Sequence, residues 1–146
     1  MLVRSLLTLE ITETAALGTT SEHLANLARL RDLGVHISVD DYGTGLSTLD
    51  YLKKIPASEI KIDKSFVQAM HRSEGDRVIV NSTIQLAHSL GRRVVAEGVE
   101  DRETLHALTR LGCDLAQGFY IGRPVPFRSL ARTLFQQRTE RNVAVG

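Results

Sequence analysis

The sequence predicts an α/β chain of about five βα units whose strands run parallel. Three observations carry this prediction. Short β-branched or Leu-rich runs recur along the chain, helical patterns separate them, and acidic or amide residues gather at one end of each run. The runs fall at about Leu6 to Ile11, Val35 to Val39, Ser58 to Ile62, Arg93 to Ala96 and Asp114 to Gln117.

The elements follow in order. After the first run, Thr19 and Glu22 form a candidate capping box, Leu24, Leu27 and Leu30 recur at helical spacing, and Gly34 suits the stop. Ser47 with Asp50 reads as a second helix start. Ile79, Thr83, Leu86 and Leu90 step along one helical face and Gly91 follows, so this helix is expected to pack that face on the sheet. Gly112 closes another helix after Leu105, Leu108 and Leu111. Pro126 is placed to open a last helix with Leu130 and Leu134. Residues 138–146 lack apolar periodicity and are expected to fray.

Composition bounds the function. With 146 residues, 42% of them hydrophobic, the chain suffices for one well-buried core, so one domain over 1–146 is expected. A formal net charge of +1 without basic runs argues against a nucleic-acid polymer as partner, because phosphate neutralisation needs clustered Lys and Arg. The single cysteine, Cys113, excludes an intrachain disulfide, which fits a reducing cytoplasm. No apolar stretch approaches the roughly 18 residues that cross a bilayer, so no membrane association is expected.

The chemistry concentrates at the strand exits. Asp40 and Asp41 end an apolar run and open into Tyr42-Gly43-Thr44-Gly45. Two adjacent carboxylates repel, and a divalent cation would offset that repulsion. An ordinary Asp-Gly turn is the competing reading of this motif alone. The other exits add Glu10 and Glu13, then Lys61 and Asp63, then Glu97 and Glu100, then Gln117. In parallel α/β architectures this end of the sheet carries ligands and catalytic groups. Carboxylates with a lysine and an amide suit hard cations such as Mg²⁺ or Mn²⁺. Lys61, between Ile60 and Ile62, is expected on the face opposite theirs. Asp63 could pair with it, Glu100 reads as a helix N-terminal carboxylate, and the histidines form no ligand pattern.

The series Leu9-Glu10-Ile11-Thr12-Glu13, Asp40-Asp41-Tyr42-Gly43-Thr44-Gly45, Ile60-Lys61-Ile62-Asp63, Glu97-Gly98-Val99-Glu100 and Gly112 to Gly118 resembles the EAL family of cyclic-di-GMP phosphodiesterases. The resemblance implies a TIM-like (β/α) barrel, here incomplete, and hydrolysis of cyclic di-GMP to pGpG with two divalent cations. It implies that Glu10 ligates the first metal, that Asp40 bridges both, and that Asp41 and Glu97 ligate the second. Lys61 is similar to the lysine that hydrogen-bonds the attacking water, Gln117 to an amide of the water and metal shell, and Glu13 to the glutamate that braces the loop from Asp41 to Ser47.

The family's Glu-Ala-Leu signature and a downstream asparagine, both first-metal ligands, are not matched. The resemblance therefore implies a truncated domain with a weak first metal site and impaired turnover. About five strands cannot close a barrel. Their open edges and an exposed apolar inner face lead to the expectation of a homodimer, with activity dependent on that association. A non-catalytic module that binds cyclic di-GMP or a protein is the alternative. An unrelated metal-dependent barrel enzyme is disfavoured by Gly43-Thr44-Gly45 and Gln117-Gly118.

Overall fold

A computed structural model describes residues 7–12, 15, 20–44, 49–126 and 129. It contains β1 (Thr8–Thr12), α1 (Ser21–Asp32), β2 (His36–Tyr42), α2 (Leu49–Lys54), β3 (Glu59–Ile62), α3 (Lys64–Ala69), α4 (Glu74–Ser89), β4 (Arg93–Ala96), α5 (Arg102–Leu111) and β5 (Leu115–Ala116). All neighbouring strands pair in parallel, in the order β1-β2-β3-β4-β5. That sequential order, with helices between successive strands, is the wall of a barrel; a doubly wound sheet would reverse its order. Five strands form an incomplete barrel, as the sequence predicts.

Strand alternation divides the residues between two faces. Ile37, Val39, Ile60, Ile62, Val94 and Ala96 are fully buried against the helices, where Val67, Val80, Ile84, Ala87 and Leu108 complete the core. The register Glu10↔Ser38 and Ser38↔Glu59 brings a different set to the inner face. Toward β1 and β3 that face is polar, with Thr8, Glu10, Glu59 and Lys61 around an open cavity of about 860 Å³. Apolar exposure on it gathers near β5, at Leu115, Ile121 and Val125. The expected apolar inner face is thus confined to one edge, because charged side chains occupy the first three strands.

Several local expectations shift. The cap of α1 is Thr20 with His23: the Thr20 hydroxyl accepts from the His23 amide at 3.4 Å, and His23 Nδ1 accepts from the Thr20 amide at 3.3 Å. The imidazole thus replaces the carboxylate expected at Glu22. On α4 the fully buried residues are Val80, Thr83, Ile84 and Ala87, with Ile79, Leu86 and Leu90 flanking them. The buried stripe thus keeps Thr83 and runs through Val80, Ile84 and Ala87, one helical position beside the expected Ile79, Leu86 and Leu90, which are half-buried. Glu100 precedes the cap of α5, and Asp101 performs the N-terminal role by accepting from the Thr104 amide at 2.7 Å. Ser47, Leu130, Leu134 and residues 138–146 lie outside the described residues. Among the described residues no helix is long and apolar enough to cross a membrane.

Asp114 joins β5 to the core. Its Oδ2 accepts from the Val94 amide at 2.8 Å and lies 2.8 Å from His88 Nε2. Burial alone would raise its pKa, but the bonds from His88 and Val94 hold it below the ordinary carboxylate value. A carboxyl depressed in the folded state contributes stability above its unfolded pKa and loses it as pH falls through the folded value. The melting temperature should therefore drop below about pH 4, and Asp114→Asn should flatten that drop; an unchanged acid profile in the variant would contradict the assignment.

Candidate metal centre

The site begins with an irregularity in β2. Val39 pairs with Ile60 and Tyr42 with Ile62, so Asp40 and Asp41 together oppose Lys61. Regular alternation would send adjacent aspartates to opposite faces, whereas one extra residue re-aims the second. Asp41 has φ +56°, the left-handed region that non-glycine residues rarely adopt. Such a conformation costs about 1–3 kcal/mol and persists where its surroundings enforce it. The Thr44 hydroxyl donates to the Asp41 carbonyl at 2.8 Å, and the Asp41 amide donates to Asp40 Oδ1 at 3.1 Å.

Glu97 arrives from the end of β4, its amide bonded to the Ile62 carbonyl at 3.2 Å. β3 lies between β2 and β4, so these carboxylates meet over the end of β3. Carboxylate oxygens of Asp40, Asp41 and Glu97 all come within 4.8 Å of one another. Burial, together with the negative charges of Asp40 and Asp63, raises the pKa of Asp41, against the pull of Lys61 and Lys64. A bound cation would reverse that balance. The donors are all carboxylate oxygens, which fits Mg²⁺ or Mn²⁺ by both hardness and charge.

Lys61 occupies the middle of the acidic surface, with 5% of its side chain exposed. Its Nζ lies 2.5 Å from Glu97, 2.8 Å from Glu10 and 3.1 Å from Asp40. Burial by itself would lower its pKa, yet hydrogen bonds to Glu10, Glu97 and Asp40 carry it above the ordinary lysine value. The ammonium is therefore a fixed positive charge at neutral pH, suited to orienting a ligand and unsuited to accepting a proton.

The structure thus brings Glu10, Asp40, Asp41, Lys61 and Glu97 together. Glu10, half exposed, meets Lys61 but is not one of the three carboxylates that lie within 4.8 Å of one another. Gln117 lines a cleft of about 500 Å³ with Glu97, Gln68, Glu100 and Phe119. Its backbone is fixed by bonds to Ala96 and Val99. Glu13 lies outside the described residues. Asp63 caps α3, accepting from the Ser65 amide at 2.9 Å, so its partner is Ser65 where the sequence suggested Lys61. Thr44 was legible as a hydroxyl three residues after Asp41, a common turn signal. Gln68, whose amide donates to Glu100 at 3.0 Å, carries no local sequence signal.

A model of the family described as EAL domain matches residues 2–124. MucR of Pseudomonas aeruginosa, a bifunctional diguanylate cyclase/cyclic di-GMP phosphodiesterase, is 45% identical over 124 residues, covering 85% of this chain and 18% of MucR. The solved PaMucR phosphodiesterase in complex with c-di-GMP superposes with a TM-score of 0.82, covering 87% of this chain and 51% of that one, at 45% identity. The EAL domain of Mycobacterium smegmatis DcpA superposes with a TM-score of 0.86 at 38% identity, covering 92% and 60%. A manganese and cy-diGMP complex of Klebsiella pneumoniae BlrP1 gives 0.72 at 34% identity, covering 80% and 30%. The chain therefore spans about half of the solved PaMucR chain and under a fifth of full MucR.

Proposed function

The chain belongs to the EAL domain family, and on that basis we propose that its acidic cluster serves the hydrolysis of cyclic di-GMP to linear pGpG with Mg²⁺ or Mn²⁺. The observation that carries this reading is the convergence of Asp40, Asp41 and Glu97 from strands two apart, beside a buried charged lysine. Asp40, Asp41 and Glu97 would hold one cation, and Glu10 with Asp40 would contribute to a second. Bound cations supply a lowered water pKa and compensation for charge on the phosphoryl oxygens.

The chain's own groups do the positioning. Lys61 directs its three N–H groups to Glu10, Asp40 and Glu97; when one of these carboxylates turns to a cation, one N–H is freed to donate toward the attacking water and orient it. The water oxygen bonds to phosphorus as the bond to the bridging ribose oxygen breaks. One water proton stays on the new phosphate or passes to solvent, and the other reaches the departing ribose oxygen through solvent, so both protons of the water are accounted for. Gln117 supports the water shell beside Glu97, and Glu13 steadies the loop from Asp41 to Ser47.

Within these residues one cation position has three protein ligands and the other has two. Full turnover therefore draws further ligands from outside them, and a second copy joined through the open barrel edges is one source. The test is incubation with cyclic di-GMP and Mn²⁺, with pGpG read by chromatography. Turnover per chain should rise with chain concentration, and a flat dependence would remove the second copy from the scheme. Asp40→Asn should lower turnover by about 100-fold or more, the order lost when one electrostatic stabiliser is removed. Nucleotide binding with no product in the parent would support the non-catalytic binding module instead.

A further inference from the structure

β2 and β4 are separated by β3, and neighbouring strands lie about 4.8 Å apart. Backbone pairing alone therefore leaves Asp41 and Glu97 on strand ends roughly 10 Å apart. Something beyond the sheet must fix how far the two loops lean toward each other. α3, which follows β3 directly, touches both.

On the β2 side, a Cβ placed on Gly43 would lie 3.0 Å from Phe66 Cε2, so the aromatic edge rests against the turn that follows Asp41. Gly43 itself has φ +101°. Phe66 is half-buried and packs on the core, which leaves the ring little room to retreat. On the β4 side, a Cβ on Gly98 would lie 2.5 Å from Lys64 Cβ, so the residue after Glu97 is pressed against the first turn of α3. Gln68, one helical turn on, donates to Glu100 at 3.0 Å.

We infer that α3 is a spacer that sets the distance between the Asp41 and Glu97 carboxylates, with Phe66 and Gln68 as positioning residues for the cation. Phe66 acts through the Gly43 turn on Asp41, whose left-handed backbone is one that non-glycine residues rarely adopt and that its surroundings must enforce. Gln68 acts through the Glu97 to Glu100 segment. The inference rests on the proposed cation site formed by Asp40, Asp41 and Glu97.

The experiment measures Mn²⁺ dissociation constants by electron paramagnetic resonance titration of the whole chain, with metal-free melting curves alongside. Phe66→Ala should weaken Mn²⁺ binding about tenfold or more, the order typical when a residue orienting a metal ligand is lost. Phe66→Leu, which keeps contact with the turn, should recover most of that affinity. Leu108→Ala, fully buried in α5 and remote from the carboxylates, should lower the melting temperature while leaving the Mn²⁺ constant unchanged. Should Phe66→Ala fail to fold, Gln68→Ala removes the second contact from an exposed bond, and it should weaken binding severalfold. Parent-like affinity in Phe66→Ala, or in Gln68→Ala where that variant decides, overturns the spacer. A parent chain without Mn²⁺ affinity, or with affinity unaffected by Asp41→Asn, overturns the cation site and the spacer with it.

Discussion

Lys61→Met should destabilise the metal-free chain at neutral pH by about 3 kcal/mol, the lower end of the cost of breaking a buried ion pair. Methionine preserves most of the aliphatic volume of the Lys61 side chain on the inner face, so the effect isolates the charge. Asp40 and Glu97, each with 19% of the side chain exposed, would lose the ammonium that compensates them. Glu10, half exposed, would recover some of its loss through water, which keeps the cost at the lower end.

The signs of two dependences follow. Without Lys61, the clustered carboxylates repel one another uncompensated, so the deficit should shrink as added salt screens that repulsion. Saturating Mn²⁺ should raise the melting temperature of the variant more than that of the parent, because the cation restores charge the variant lacks. Denaturant titrations at several salt concentrations, with and without Mn²⁺, read both effects. Equal stability of parent and variant at neutral pH would show that the ammonium does not hold this surface together.

Gly118→Ala should cost about 3 kcal/mol or more, the top of the range for overpacking. A Cβ there would lie 2.2 Å from the Val99 carbonyl oxygen and 2.3 Å from its nitrogen. Both are backbone atoms, which cannot escape by changing rotamer. Val99 is fully buried; its amide donates to the Gln117 carbonyl at 3.1 Å, and its carbonyl accepts from the Tyr120 amide at 3.0 Å. A methyl group would break this stitching, and β5 would lose its hold on β4 just where Gln117 stands beside Glu97. Gly122→Ala is the matched control, since nothing lies within 4 Å of a Cβ built there, and it should change stability by less than about 0.5 kcal/mol. Chemical denaturation distinguishes the two, and equal midpoints for Gly118→Ala and the parent would refute the close approach.

Much of the molecule was legible before folding was considered. The observed strands fall within two or three residues of the expected runs, because a strand buried on its helix-facing side must carry a local apolar pattern. Gly34, Gly91 and Gly112 follow or cap their helices with positive φ, as their positions suggest. Readings that depended on one residue's exact partner fared less well. The cap at Thr20 used an imidazole, Glu100 found Gln68, and Asp63 found Ser65. Each of these choices compares hydrogen-bonding groups of similar reach, and a one-residue shift of a helix start decides among them.

By itself, the sequence determined the repeated βα units, the acidic character of the strand exits and the family, since all three are written in local periods and in motifs that survive without coordinates. Tertiary structure decided how those exits become one centre. The extra residue in β2 turns Asp41 to the side of Asp40, Lys61 gathers carboxylates from three strands, and α3 spans the gap between β2 and β4. The physical reason is that strand neighbours, bulges and the approach of a helix to two separate loops are fixed by the packing of the whole sheet. No window of the chain contains both partners of those contacts.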